Sequence, residues 1–131
     1  MTQQHTVLIV DDEPHIAAVV AAKLRRCGLR VVTAANGDEA LAILGEEPID
    51  LVVSDLRMPG SDGASLLRAM AADPRTARTP VIILTGLGHD IDDDVPHTPR
   101  LAAVLRKPFS PRELAACVQR ALVEPPVSHA A

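Results

Sequence analysis

The amino-acid sequence predicts a doubly wound α/β fold, in which helices cover both faces of a five-stranded parallel sheet. Five short apolar runs alternate along the chain with segments of helical periodicity. The runs are nearly continuous rather than interleaved with polar residues, which is typical of parallel strands buried on both faces. Strands that alternate with helices form βαβ units, whose right-handed crossovers generate a doubly wound sheet. A chain of 131 residues is long enough for one such domain.

The bounds of these elements follow from apolar spacing and from capping residues. Pro14 suits the first turn of a helix, and Gly28 suits the position after its end. Asn36 and Gly37 are expected to turn the chain into the second helix, and Asp62 and Ser110 are expected to cap the third and the last. The predicted strands are residues 7–10, 31–33, 51–54, 81–84 and 102–105. The predicted helices are residues 14–27, 38–44, 64–72 and 111–122.

Two segments depart from this regular pattern. Between the fourth and fifth strands, three consecutive aspartates at 92–94 are followed by Pro96 and Pro99, so any fourth helix there should be short or irregular. We interpret the three aspartates as a solvated acidic turn rather than a metal site. Residues 124–131 contain two prolines and lack periodicity, which predicts a flexible C-terminal tail after a domain of residues 1–123.

The composition disfavours membranes and nucleic acid as partners. The chain has a net charge of −4, no basic stripe, and Phe109 as its only aromatic residue, so direct nucleic-acid binding is disfavoured. No apolar run is long enough to cross a bilayer and the N-terminus lacks an export signal, so we expect a cytoplasmic protein. Cys27 and Cys117 lie among apolar residues of predicted helices, which predicts two reduced, buried thiols.

Reactive side chains follow the predicted strands. Asp11 and Asp12 end the first strand, Asp55 ends the third, Thr85 ends the fourth, and Lys107 follows the fifth. Ligands of open parallel sheets bind beyond the carboxyl ends of the strands, so these groups should share one rim. Two carboxylates about 5 Å apart repel by roughly 3 kcal/mol at an effective dielectric constant near 20. The rim therefore predicts a bound cation, and Mg²⁺ fits because it takes oxygen ligands.

A carboxylate on such a rim can act as a nucleophile toward phosphorus and form an aspartyl phosphate. A metal ion and a lysine around the phosphoryl oxygens would stabilise the charge that builds up there. Asp55 is the candidate nucleophile, because it is a lone acid on the middle strand that can face a metal held by Asp11 and Asp12.

Four motifs in the order VLIVDDEP, LVVSDLRMPGSDG, VIILTG and RKPF resemble the receiver domain of bacterial two-component response regulators, the CheY-like family, across about residues 5–123. The resemblance implies a flavodoxin-like sheet with the strand order 2-1-3-4-5. It also implies a phosphoprotein of phosphorelay signal transduction, in which a sensor histidine kinase or a phosphotransfer protein phosphorylates Asp55. No residue names a downstream target.

The resemblance further implies a role for each residue of the rim. Asp12 would be the main ligand of Mg²⁺, with Asp11 acting partly through water and with Asp55 and the backbone carbonyl of Arg57 as further ligands. Thr85 would donate a hydrogen bond to the phosphoryl group, and Lys107 would form an ion pair with it. The peptide bond between Lys107 and Pro108 would be cis, a geometry that carries only a small penalty before proline.

The sequence departs from the family pattern at Val104, where the family commonly carries an aromatic residue three positions before the lysine. Rotation of an aromatic ring coupled to Thr85 is therefore excluded as the signal relay. Together with the prolines before the fifth strand, this departure also argues against the family's usual dimer or output face, which comprises the preceding helix, the fifth strand and the last helix.

Two other functional classes share parts of this pattern. A hydrolase of the haloacid dehalogenase type also uses Mg²⁺ and a nucleophilic aspartate, but it expects two acids spaced as DxD on the first strand, whereas Asp11 and Asp12 are adjacent. A flavin or nucleotide carrier of the same topology would need a glycine-rich phosphate loop after the first strand. We therefore expect slow self-phosphorylation and self-dephosphorylation only, rather than the activity of a conventional enzyme.

Overall fold

The computed structural model describes residues 4–58, 60, 62–86 and 100–123. Within them the strands are β1 (Thr6–Val10), β2 (Arg30–Ala34), β3 (Leu51–Asp55), β4 (Val81–Thr85) and β5 (Leu101–Arg106). The helices are α1 (Pro14–Arg26), α2 (Gly37–Glu46), α3 (Gly63–Ala72) and α4 (Pro111–Val123). The strands pair in parallel in the order β2-β1-β3-β4-β5, which confirms the expected topology.

Most predicted elements are correct to within one or two residues. The first helix ends at Arg26, and Cys27 is its C-cap, followed by Gly28 at a φ of +89°. The second helix is longer than predicted: it begins at Gly37, because Asn36 acts as its N-cap, and it ends at Glu46 rather than at residue 44. The irregular segment predicted between β4 and β5, with its three aspartates, and the predicted tail at 124–131 lie almost wholly outside the described residues.

Side-chain caps hold the N-termini of α3 and α4 as predicted. The Asp62 carboxylate accepts a hydrogen bond from the N–H of Ser65 at 2.9 Å. The Ser110 hydroxyl accepts from the N–H of Glu113 at 3.0 Å, and the Glu113 carboxylate accepts in return from the N–H of Ser110 at 3.1 Å. This reciprocal pair is a capping box, which fixes the chain immediately after the fifth strand.

The core consists of two layers separated by the sheet. Alternate residues of each strand point to opposite faces, so Val7 and Ile9 pack under α1 and α4, whereas Leu8 and Val10 pack under α2 and α3. Every residue of β1, β3 and β4 is buried. Because these three central strands are rigidly enclosed, the residues at their carboxyl ends are held in fixed positions.

The two cysteines are free thiols, but both are half-buried rather than fully buried. Each packs at the margin of the core layer beneath α1 and α4. Burial raises the pKa of the Cys117 thiol, against the opposing charge of Arg120. Among the described residues, no helix has the length and apolar character needed to cross a bilayer.

Candidate metal and phosphoryl site

The carboxyl ends of the strands bring the predicted residues to one rim. Asp11 directly follows β1, and its N–H donates to the carbonyl of Ala34 at the end of β2 at 3.0 Å. Asp55 and Thr85 are the last residues of β3 and β4. The N–H of Lys107 donates to the carbonyl of Thr85 at 2.7 Å, which ties the chain after β5 to the end of β4.

Three aspartates form a cluster on this rim. Asp11, Asp12 and Asp55 each offer a carboxylate oxygen, and these oxygens all lie within 4.8 Å of one another. Asp11 and Asp55 are buried, whereas Asp12 is exposed. The N–H of Glu13 donates to the Asp11 carboxylate at 2.9 Å and fixes its orientation. The cluster therefore has two rigid carboxylates and one that is open to solvent.

Lys107 supplies the positive charge next to this cluster. Its Nζ lies 2.8 Å from Oδ1 of Asp55, and the side chains are 28% and 8% exposed, respectively. Because the pair is shielded from water on most sides, the contact is stronger than a surface ion pair. Asp55 thus faces a cation on one side and two carboxylates on the other.

Burial and charge shift the ionisation of these groups. Burial raises the pKa of Asp11, and the charge of Asp55 adds to this effect, while the hydrogen bond from Glu13 opposes it. Burial likewise raises the pKa of Asp55 against the opposing hydrogen bond and charge of Lys107. Burial disfavours the charged amine of Lys107, but the hydrogen bond and the charge of Asp55 outweigh it, so the pKa of Lys107 is raised.

The three carboxylates fit a hard divalent cation. Oxygen ligands of Mg²⁺ lie about 2.1 Å from the metal, so ligands on opposite sides of it are separated by about 4.2 Å. The three aspartate oxygens lie within 4.8 Å of one another, so small side-chain adjustments would bring them to one cation. The raised pKa values of Asp11 and Asp55 show that repulsion and burial are incompletely compensated by Lys107, so an added cation would be favourable.

The remaining predicted residues surround the cluster. The side chain of Thr85 is buried, and its hydroxyl lies 3.5 Å from the carbonyl of Gly86, a contact too long for a strong hydrogen bond. Arg57 is exposed in the loop that follows β3. The Lys107-Pro108 peptide bond is cis. Val104 is half-buried against the core layer of α2 and α3.

Glu13 lies next to the site, although the sequence interpretation gave this residue no role. Besides the hydrogen bond from its N–H to Asp11, its carboxylate raises the pKa values of both Asp55 and Lys107. The sequence did contain a signal for this residue, because Glu13 is the third consecutive acid in the motif VLIVDDEP. Adjacent acids do not reveal which of them point toward the rim, so this role needed the structure.

Comparisons with known proteins agree with this geometry. A family model described as "Response regulator receiver domain" matches residues 7–119. A probable transcriptional regulator, ycf27, of Cyanidium caldarium is 40% identical over 122 residues, which cover 92% of this chain and 47% of that protein. The chain thus spans about half the length of the curated relatives it matches.

Solved structures show the same fold. A putative response regulator from Chloroflexus aurantiacus is 31% identical with a TM-score of 0.80, covering 93% of this chain and 100% of that one. The chemotaxis protein CheY4 of Vibrio cholerae is also 31% identical with a TM-score of 0.80, covering 92% of this chain and 100% of that one. None of these similarities supports the hydrolase alternative. The chain belongs to the receiver domain family of two-component response regulators.

Proposed function

We propose that Asp55 accepts a phosphoryl group from the phosphohistidine of a sensor histidine kinase or of a phosphotransfer protein. The observation that carries the proposal is the position of the Asp55 carboxylate, which lies within the aspartate cluster and 2.8 Å from the amine of Lys107. Membership of the receiver family implies a partner of this kind.

The transfer is a displacement at phosphorus. A carboxylate oxygen of Asp55 forms the new O–P bond, the N–P bond of the phosphohistidine breaks, and its electron pair returns to the imidazole. Asp55 must be ionised to attack. The hydrogen bond and charge of Lys107 lower the pKa of Asp55 and so favour the ionised form against the effect of burial.

Mg²⁺ is the cation that fits the cluster. Asp11, Asp12, Asp55 and the backbone carbonyl of Arg57 would hold it, with water completing its coordination. When bound, the cation neutralises the charge that develops on the phosphoryl oxygens. The protein contributes rigid ligands, because Asp11 and Asp55 are buried at the ends of enclosed strands.

Thr85 and Lys107 would bind the phosphoryl group once it is on Asp55. Among the described residues, the Thr85 hydroxyl has only a long contact with the Gly86 carbonyl, so it can form a better hydrogen bond with a phosphoryl oxygen. Moving an equilibrium from 1:99 to 99:1 takes about 5.5 kcal/mol. Each charge-assisted hydrogen bond supplies about 1.5 to 3 kcal/mol. Because Lys107 already contacts Asp55 before phosphorylation, only the Thr85 contact is wholly new, so phosphorylation shifts the population of the signalling state rather than switching it completely.

We propose further that the chain is a stoichiometric phosphoryl acceptor of the cytoplasm, formed by residues 1–123 as one receiver domain, rather than a conventional enzyme. Incubation with acetyl phosphate or with a chromogenic phosphomonoester separates the two classes. The acceptor takes up one phosphoryl group per chain, whereas multiple turnover of the phosphomonoester would contradict this proposal.

The direct test of the acceptor is Asp55→Asn. Intact-mass spectrometry after incubation with acetyl phosphate and Mg²⁺ should show one added phosphoryl group on the wild-type chain and none on Asp55→Asn. Asp38→Asn is the matched control, because Asp38 is an exposed residue in the first turn of α2 and should not affect labelling. Persistent labelling of Asp55→Asn would assign the acceptor to another residue.

A further inference from the structure

The first residue of α3 lies against the main chain of the phosphoryl acceptor. The N–H of Gly63 donates to the carbonyl of Leu56 at 3.0 Å. A Cβ added at Gly63 would lie 2.5 Å from the carbonyl oxygen of Asp55 and 3.1 Å from Cα of Leu56. Both neighbours are main-chain atoms, so no side-chain rotation can relieve the overlap. Any other residue at this position would push α3 and the end of β3 apart.

The main chain around Asp55 is also held from other sides. The hydroxyl of Ser54 donates to the Asp55 carbonyl at 3.0 Å in a buried position. The N–H of Leu56 donates to the carbonyl of Leu84 in β4 at 2.8 Å. The acceptor's backbone is therefore fixed by the neighbouring strand on one side and by the closely packed N-terminus of α3 on the other.

We propose that Gly63 is a positioning residue for phosphoryl transfer. Its lack of a side chain lets the first turn of α3 approach the Asp55 carbonyl, and this approach sets where the Asp55 carboxylate lies relative to Lys107 and to the aspartate cluster. The inference rests on the proposed role of Asp55 as acceptor. It assigns a role to a residue whose observed neighbours are the main-chain atoms of Asp55 and Leu56.

The size of the overlap indicates the size of the effect. Ordinary van der Waals contact begins at 3.4 Å, so the distance of 2.5 Å would have to grow by about 0.9 Å to accommodate a methyl group. A misplacement of about 1 Å in a reacting group can lower a rate by roughly a hundredfold. Part of the displacement will be taken up by α3, so we expect Gly63→Ala to slow labelling of Asp55 by about ten- to a hundredfold.

The experiment separates positioning from loss of stability. The labelling rate with acetyl phosphate at saturating Mg²⁺ is measured on the full chain by intact-mass spectrometry, and the folded fraction is measured by circular dichroism under the same conditions. Loss of stability alone lowers the rate only in proportion to the folded fraction. Loss of positioning lowers the rate per folded molecule, which is the quantity that we expect to fall in Gly63→Ala.

Two control variants are available in the chain. Gly45→Ala is the same substitution at a position in α2 where an added Cβ meets no atom within 4 Å. Val118→Ala removes core volume from α4 on the other face of the sheet and lowers stability away from the site. Both should keep the wild-type rate per folded molecule. Gly45→Ala should also stabilise its helix, so it provides a background in which Gly63→Ala can be studied.

An unchanged rate per folded molecule in Gly63→Ala would overturn the positioning role, while labelling of the wild-type chain at Asp55 would leave the acceptor role intact. If Gly63→Ala does not fold even with Gly45→Ala, the test passes to Ser54→Ala, which removes the other contact to the same carbonyl without adding atoms. A lower rate per folded molecule then supports control through the Asp55 main chain, and an unchanged rate overturns it.

Discussion

Asp11 combines burial with two neighbouring carboxylates, so its ionisation opposes folding. Unit charges within the 4.8 Å of this cluster repel by about 3 kcal/mol at an effective dielectric constant of 20, and Lys107 offsets part of that repulsion. We expect Asp11→Asn to increase the free energy of unfolding by about 1 to 2 kcal/mol at pH 7 in the presence of a chelator. The asparagine oxygen can still accept the hydrogen bond from Glu13.

The pH dependence of this gain has a definite sign. The pKa of Asp11 in the folded chain is raised above its ordinary value of 3.8, so the folded state binds the proton more readily than the unfolded state. The wild-type chain therefore loses stability as pH rises from 3.8 through the pKa of Asp11 in the folded state. The stability gained by Asp11→Asn is complete above that folded-state pKa and absent below pH 3.8. Urea denaturation of both chains at several pH values measures the difference in their free energies of unfolding. A gain that is independent of pH would contradict the electrostatic cause.

Lys107 is the second residue whose charge has a measurable consequence. Its hydrogen bond and charge lower the pKa of Asp55, so Lys107→Met should raise that pKa further and move the acid limb of the labelling rate to higher pH. The maximal rate should also fall by about a hundredfold, which is typical when a donor to developing negative charge is lost. Acetyl phosphate labelling across pH provides both quantities. Lys23→Met, at the only other lysine, should change neither of them.

At the scale of elements, the capping box of α4 stabilises the helix that follows Lys107. Ser110→Ala removes the acceptor for the N–H of Glu113 and should cost about 1 kcal/mol of stability. Glu113→Gln should cost much less, because glutamine also completes a capping box. Urea denaturation measures the free energy of unfolding of both variants. Equal losses of stability in the two variants would show that the reciprocal hydrogen bonds do not stabilise the helix. The labelling rate per folded molecule should stay at the wild-type value in both.

The elements themselves were largely predictable because their signals are local. Apolar runs located every strand, and Asp62 and Ser110 were recognised as caps from residue type and position alone. Glu113 was missed as the partner of Ser110, although the spacing of a serine and a glutamate three residues later carried the signal. The irregularity in the pairing of β4 with β5 near Val81 had no local signal, because it depends on how two distant segments align.

The sequence predicted which residues form the candidate site, but not the distances between their atoms. Parallel strands end at the same edge of a sheet, which is sufficient to place Asp11, Asp55 and Lys107 on one rim. The direct contact between Lys107 and Asp55 depends on the path of the chain after β5, and the contact of Gly63 with the Asp55 carbonyl depends on the packing of α3. Such distances arise from packing between elements, which the sequence pattern does not encode locally.

At the scale of the whole molecule, binding of a divalent cation at the acidic rim would couple stability to the concentration of that cation. A ligand that binds only the folded state stabilises it by RT ln(1 + [L]/Kd), so each tenfold increase of Mg²⁺ above its Kd should add about 1.4 kcal/mol to the free energy of unfolding. Asp12→Asn should abolish most of this response while changing stability little without metal, because Asp12 is the exposed member of the cluster.

The effect of ionic strength must be distinguished from specific binding of Mg²⁺, because screening of the repulsion between its carboxylates also stabilises an acidic cluster. Urea denaturation of the wild-type and Asp12→Asn chains is therefore compared in MgCl₂ and in NaCl of equal ionic strength. We expect Asp12→Asn to gain no more from NaCl than the wild-type chain, because it has one carboxylate fewer, and only the wild-type chain to gain further from MgCl₂. An equal gain of the two chains in MgCl₂ would mean that the cation acts by screening, and that Asp12 is not a ligand.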